Sequence, residues 1–432
     1  MRPGCAAATV LAMQTTRHQT LIIGGGFGGA YVARLLGKRG ATIISPDSTM
    51  LYTPVLPEVA AGALEPRHAV VPLRAMCPHA RIVRGRAIGL DERDRRVIVE
   101  TERGSQELHY ERLVVALGAV PRVPPIPGLA EHGLGFKQLG DAIHLRDHVL
   151  RQLERAEADP ANAERHLTFV FVGAGYAGVE ALAELHQLVS DAARHYPALR
   201  IVPQRWVLVD GGPQVLAEVP SRLATYTQEL LRKRGVDLRL STRLDAVQSD
   251  AVTLSDGTRI ATETLVWTAG VTPNPVLSQL GMPLDDRGRV IVDSSLRVRD
   301  RDDVFALGDC ARVPNAATPE TPDPPTCQHA LRQARRLSKT LRGAGKPYRY
   351  RSLGGGATLG RDKGIASVFG LKVRGLLGAA IIRAYHVHQV PLFSRRLRVL
   401  ADGTIAMLFR RDITELGMTE RPAWAASASR QV

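Results

Sequence analysis

The sequence is poor in cysteine and in aromatic residues, and it contains no long apolar run. Its 432 residues include four cysteines, Cys5, Cys77, Cys310 and Cys327, and no two of them share a C-x-x-C or ligand-like spacing. That scatter excludes a disulfide framework, gives no metal site to expect, and makes a reducing compartment the default. Aromatics make up 5% of the chain, so apolar burial rests mainly on Leu, Val, Ile and Ala. No stretch reaches the roughly 18 apolar residues that span a bilayer, so the chain is not expected to cross a membrane by itself. No low-complexity tract, short-period repeat, basic helix-turn-helix or aromatic platform is visible. A nucleic-acid partner is accordingly not expected.

What the chain does have is size and positive charge. At this length it has room for two to three domains with sizeable cores. Lys and Arg total 57 against 42 Asp and Glu, a net charge of +15. Such an excess favours negative partners, among them anionic lipid and phosphate-rich cofactors. Residues 1–17 carry a short Ala-rich apolar stretch that makes a poor signal peptide. They read as a disordered extension or as an over-called start upstream of Met13.

The first ordered segment, Thr20-Leu21-Ile22-Ile23, runs directly into Gly24-Gly25-Gly26-Phe27-Gly28-Gly29. A helical pattern and a second strand, Ala41 to Ile44, follow. Strand, glycine turn, helix and strand make a βαβ unit. The device recurs: Leu167 to Val172 is a strand, Gly173-Ala174-Gly175-Tyr176-Ala177-Gly178 a turn, Val179 to Leu188 a helix, and Trp206 to Val209 a strand ending on Asp210. The fold class is therefore α/β, with two Rossmann-like dinucleotide-binding domains. Expected boundaries are 18–125 for the first part of one domain, 126–295 for an inserted second domain, 296–345 for the return, and 346–432 for a basic C-terminal region. Pro121 to Gly128 reads as an extended crossover and Pro314 to Pro325 as a loop.

In each glycine turn the first Gly permits the tight bend and the second lets backbone amides approach a pyrophosphate. The third lets the helix pack on the strand, with its positive end facing the phosphates. An acidic residue is expected where the following strand ends, to hold the ribose hydroxyls. In the second unit Asp210 stands there, and with Gly211-Gly212-Pro213 after it rather than an Arg it favours NADH over NADPH. In the first unit Ser45 holds that place and Asp47 lies two residues beyond, still within reach of the ribose. Phe305-Ala306-Leu307-Gly308-Asp309 ends an apolar strand in an acid that suits the ribityl chain or pyrophosphate of a flavin.

In order along the chain, Gly24 to Gly29, Leu113 to Gly118, Gly173 to Glu180, Thr268 to Val271 and Phe305 to Asp309 resemble the two-dinucleotide-binding flavoprotein superfamily, whose fold is glutathione-reductase-like. Closer still, Tyr52-Thr53-Pro54-Val55-Leu56-Pro57-Glu58-Val59-Ala60-Ala61-Gly62, Trp267 to Asn274, Pro325 to Ala330 and Gly356 to Arg361 are similar to the type II NADH dehydrogenases, the single-subunit NADH:quinone oxidoreductases. The resemblance implies FAD contacts at Gly24, Gly26, Phe27, Gly28, Gly29, Asp47, Pro54, Ala116, Gly118, Gly308, Asp309 and Gln328. It implies NAD contacts at Gly173, Gly175, Gly178, Glu180, Asp210 and Gly270. Glu180 is expected near the nicotinamide and flavin rings, where the residues alone also allow a solvated first-turn carboxylate. Gln328 is expected in the quinone pocket. There the family's Ala-Gln pair is Cys327-Gln328, and its second Gln corresponds to Arg332 with Gln333 beside it. His329 reads equally as a proton relay or a packing residue. No cysteine pair follows the first unit, which sets thiol–disulfide chemistry aside.

Leu371 to Leu400 mixes apolar residues with Lys372, Arg374, Arg383, Arg395, Arg396 and Arg398. Leu376, Leu377, Ala380 and Ile381 share one helical face, a pattern suited to lying in a membrane interface. The expected activity is transfer of hydride from NADH to FAD and of electrons onward to a membrane quinone, at the cytoplasmic face of a membrane with anionic lipid. A homodimer is left open. Two rivals are an NADH-dependent reductase with a soluble acceptor and a flavin-containing NADH sensor that acts through a partner.

Overall fold

A computed structural model describes residues 18–352, 354–418, 420 and 422–425; the expectations for residues 1–17 lie outside them. The first domain is built on five parallel strands, in the order Arg81–Arg84, Ala41–Ser45, His18–Ile23, Gly104–Val115 and Val304–Ala306. Three of these strands read as near-continuous apolar runs because helices cover both faces of a parallel sheet. Leu21, Ile22, Ile43, Leu113, Val114 and Val115 are fully buried. The fifth strand arrives nearly 190 residues after the fourth, so the sheet closes only when the chain returns from the second domain. Helix Cys327–Thr340 then packs against helix Phe27–Leu36 beside it.

The strand expected at Leu113 to Ala116 is longer than its apolar part. It begins at Gly104, and its first half pairs antiparallel with Arg96–Thr101, which in turn pairs with Arg86–Asp91. Residues 104–112 hide this from sequence reading because that half leaves the covered sheet and carries polar residues on an open face.

The second domain holds a five-stranded parallel sheet in the order Leu134–Gly135, Thr264–Trp267, Thr168–Val172, Arg205–Asp210 and Val236–Leu240. The two passages between domains lie side by side, where Ala119–Pro121 pairs antiparallel with Val271–Pro273. The C-terminal region starts with a three-stranded antiparallel sheet, Gly354–Thr358, Gly364–Val368 and Leu371–Arg374. Helices Gly375–Gln389 and Phe393–Leu408 follow, separated at Pro391. The tail then returns to the second domain, where the buried Trp424 donates its indole N–H to the Gly133 carbonyl at 2.6 Å.

Candidate functional site

The two glycine turns are near copies in backbone geometry. Gly24 and Gly173 both have φ +110°, a left-handed conformation that L side chains rarely adopt. A Cβ on Gly29 would lie 1.9 Å from the Gly24 carbonyl, and one on Gly178 would lie 1.9 Å from that of Gly173. These third glycines therefore act through close helix–strand contact, as expected. A Cβ on Gly26 or Gly175 would meet nothing within 4 Å, so the middle position of each turn is open. Each is the N-cap of its helix, and neither helix has a side-chain cap. The first-turn amides are thus left for a phosphate, which is the arrangement a pyrophosphate requires.

A cleft of about 710 Å³ runs from the first turn through the domain. Gly24, Gly26, Phe27, Gly28, Asp47, Ala116, Gly118, Gly308 and Asp309 line it, together with Ser45. Asp47 is exposed at the cleft, whereas Ser45 is buried against Gly25, where a Cβ would come 2.4 Å from the Ser45 hydroxyl. Gly29, Pro54 and Gln328 are not part of the lining; Thr53 and Cys327 stand beside the last two and are. The cleft also takes in Asn274, the end of the Trp267 to Asn274 segment, and Arg86 and Lys137, which carry no sequence signal. Its size, its open glycine and its uncapped helix fit the adenine dinucleotide of a flavin.

Gln333 holds the far wall. Buried, it accepts the Gly308 N–H at 2.8 Å and donates to Asp323 at 2.9 Å. Burial raises the Asp309 carboxyl above its ordinary range, with Lys137 and His329 pulling the other way. His329 stands in the first turn of its helix, where the N-cap Thr326 accepts its backbone N–H, and its Nε2 lies 3.8 Å from Asp323. Its Nδ1 is 2.7 Å from the Thr326 hydroxyl, and its ring meets Tyr350 edge-on at 5.4 Å. Arg332, at the place of the family's second Gln, lies over the same ring, with its guanidinium 5.2 Å from the Tyr350 centroid.

At the second turn Asp210 accepts the Ala174 N–H at 2.6 Å and the Gly212 N–H at 2.7 Å. The carboxylate thereby braces the turn as well as marking the strand end. Gly270, with φ +92°, is exposed and has open space at its Cα. Glu180 is buried, which excludes the solvated carboxylate that the residues alone allowed. Its Oε1 accepts the Thr358 backbone N–H at 2.7 Å and the Thr358 hydroxyl at 3.2 Å. Burial pushes this carboxyl well above its ordinary range, helped by the charge of Glu58, and the Thr358 hydrogen bonds oppose the rise.

At its inner end the cleft reaches Cys327, close to Tyr385 of helix Gly375–Gln389. Phe27 and Tyr52 pack with their rings tilted by 53° and centroids 5.6 Å apart, and the Tyr52 hydroxyl donates to the His386 carbonyl at 3.1 Å. Tyr385, on the same helix, has the Gln328 side chain as a hydrogen-bond partner. Gln328 therefore sits behind the cleft wall, towards the C-terminal helix. Burial pushes the Cys310 and Cys327 thiols to about 11. The described cysteines are all free, so neither thiol offers a ready thiolate.

The family described as pyridine nucleotide-disulphide oxidoreductases matches residues 18–334. Among individual relatives, the type II NADH:quinone oxidoreductase NdhA of Mycobacterium tuberculosis is 30% identical over 411 residues, 89% of this chain and 86% of that one. The type II NADH:quinone oxidoreductase Ndh of the same organism is 29% identical over 448 residues, 98% of this chain and 94% of its own. A solved structure of NDH2 from Plasmodium falciparum superposes with a TM-score of 0.85 at 16% identity, covering 92% of this chain and all of that one, and so shares the fold. With two dinucleotide turns on one split α/β frame, and relatives matched along nearly their full length, the chain belongs to the pyridine nucleotide-disulphide oxidoreductases and, within them, to the type II NADH:quinone oxidoreductases.

Proposed function

We propose that this protein oxidises NADH and reduces a quinone taken from a membrane surface, with FAD held in the cleft between Gly26 and Asp309. The observation that carries this reading is where the cleft ends. Its wall at Cys327 lies close to Tyr385 on a helix that exposes apolar residues, with Leu376 at 59% and Leu377 at 62% exposure. A hydrophobic acceptor can approach from that side without passing through water. Bound FAD would supply hydride acceptance and electron delivery. The chain's own residues do the rest: the Gly24 and Gly173 turns bind the two pyrophosphates, Asp210 holds the nicotinamide nucleotide's ribose, and Gln333 fixes the Gly308-Asp309 wall. Phe27, Tyr52 and Tyr385 keep the inner end apolar.

The same apolar face supports peripheral attachment to lipid. Among the described residues no helix is long and apolar enough to cross a membrane. The exposed side chains of Phe393, Leu397, Leu400 and Leu408 continue the apolar surface along the last helix. A helix of this kind lies in the headgroup region with its polar face outward.

The test is NADH oxidation by flavin-loaded protein on anionic vesicles, with and without a lipid-soluble quinone. Quinone-dependent turnover should appear and should rise when vesicles are present. Turnover with ferricyanide or oxygen but none with any quinone would favour a soluble acceptor and sink the reading.

A further inference from the structure

Behind the inner end of the cleft, four carboxyls meet three guanidiniums in a region largely closed to water. Glu184 is fully buried, ion-paired with Arg411, and 3.7 Å from the Arg383 guanidinium. Asp191 is buried; it accepts the Arg411 backbone N–H at 3.2 Å and pairs with Arg361 at 3.3 Å. Glu180 is bound to Thr358 as described. Glu58 belongs to the short helix Leu56–Ala60, which packs on the helix carrying Glu180 and Glu184. Only half-buried as a residue, it turns one carboxyl oxygen, Oε2, into the interior, where that atom has no hydrogen-bond partner.

The neighbouring groups do not balance the fourth carboxyl: Arg234, whose charge also reaches Glu184, is matched first by Asp362. On helix Gly375–Gln389, His386 is pushed down to about 4 by burial and by Arg383, and so is neutral at ordinary pH. The Tyr52 hydroxyl stays protonated, because burial first and the Cys327 and Tyr385 groups next hold it well above its usual range. On the other flanking helix, Leu139–Ala158, Arg146 is occupied by the Asp412 carbonyl at 3.0 Å and its carboxylate at 3.5 Å. Four negative charges against three positive ones in a low dielectric is costly, and the relief open to carboxyls is to keep a proton. Glu184 and Asp191 each own a guanidinium. The proton therefore falls to Glu58 and Glu180: their helices pack together, and after burial the charge of Glu58 is what raises the Glu180 carboxyl most, while Glu58 itself feels Glu184 first.

We propose that Glu58 and Glu180 share one exchangeable proton, and that Glu58 is a positioning residue which keeps that proton available, through Glu180, for quinol formation. The assignment rests on the quinone reading above. NADH delivers two electrons and one proton, whereas a quinone needs two electrons and two protons. The overall balance, NADH + H⁺ + quinone → NAD⁺ + quinol, takes up one further proton. The pair releases that proton towards the acceptor oxygen and regains one from solvent. Burial of Glu58, reinforced by Glu184 and opposed by Arg383, raises its carboxyl to about 7, which suits a group that must both hold and release a proton near neutral pH.

Two measurements on the flavin-loaded protein test this with Glu58→Gln, Glu58→Asp and Glu180→Gln. Infrared spectroscopy of the resting enzyme should show the C=O stretch of a protonated buried carboxyl that fades as pH rises. That band should be absent or displaced in Glu58→Gln and in Glu180→Gln. In turnover, the ratio of quinone to ferricyanide reduction should fall about tenfold or more in Glu58→Gln and recover in part in Glu58→Asp. The falling alkaline limb of the wild-type quinone rate should shift with the substitution. A carboxyl band unchanged in both Gln variants, or an unchanged ratio and pH profile, overturns the proposal. If the wild type reduces ferricyanide but no quinone, the quinone reading fails and this role with it. The infrared band still reports separately whether Glu58 holds the proton.

Discussion

In the unfolded chain the Glu58 carboxyl titrates near its ordinary 4.5, whereas in the fold burial holds it at about 7. Between those values the folded chain carries a proton that the unfolded chain has lost. The resulting stability is complete below about 4.5 and disappears as pH rises through about 7. Glu58→Gln removes the charge and keeps the shape. We therefore expect it to be more stable than wild type by roughly 3 kcal/mol near pH 8, with the gap closing near pH 5. Chemical denaturation at both pH values checks this, and a variant no more stable than wild type near pH 8 would contradict it. Asp210 invites a different measurement. Its two oxygens brace the turn; if it also holds the ribose as proposed, Asp210→Asn should weaken NADH binding roughly tenfold, about 1.4 kcal/mol, and narrow the preference over NADPH. Titration of both nucleotides would show it; unchanged NADH affinity would argue that the carboxylate only braces the turn.

Among the elements, the C-terminal helices depart most from what their sequence suggests. Leu371 to Leu400 looks like one amphipathic stretch, yet it forms a strand and two helices, and the second helix runs on through Ala401-Asp402-Gly403 to Leu408. Those three residues favour a turn by propensity. Here Asp402 is tied outward instead, accepting the Glu65 N–H at 3.2 Å and pairing with His68 at 2.5 Å. Several basic residues are also spent inside the fold. Arg395 donates to the Arg67 carbonyl at 2.8 Å, Arg396 to the Val390 carbonyl at 2.7 Å, and Arg383 belongs to the carboxyl cluster. Lipid binding should then depend more on the apolar stripe and less on salt than the charge count implies. Replacing Leu397 and Leu400 together by Ser should cost about 2 kcal/mol of partition energy, roughly thirtyfold in vesicle binding, with the fold intact. Flotation at low and high salt measures both terms. Binding abolished by salt alone would reverse this ranking.

For the molecule as a whole, the tail decides how the parts are tied together. Trp424 fills a place made by Gly133 and Gly135, where a Cβ on Gly135 would come 2.6 Å from the tryptophan Cβ. Its ring joins Leu129, Val247 and Leu265 in the core of the second domain. Trp424→Ala should destabilise that domain by about 3 to 4 kcal/mol and leave the first glycine turn untouched. Thermal unfolding followed by NADH-binding and flavin signals separately would reveal it; a drop in flavin retention alone would disagree.

Both βαβ units, their glycine turns, Asp210 and the Gly308-Asp309 strand end were legible in the sequence, because local chemistry specifies them. A left-handed turn at Gly24 or Gly173 admits little but glycine, and a strand covered on both faces must be apolar along its length. The half of Gly104–Val115 that leaves the covered sheet lacks that constraint and was hidden. So was the company each buried polar group keeps. Sequence gave Glu180 an address but not its partner Thr358, which lies 178 positions away, and it gave Glu58 no charge to compete with. Whether a carboxyl is ionised depends on what surrounds it, and here five separated segments converge on the same interior. The chain alone thus determined two dinucleotide sites and their order. Only the tertiary structure decided which charges face one another out of reach of water, because desolvation and Coulomb energy follow distance in space rather than distance along the chain.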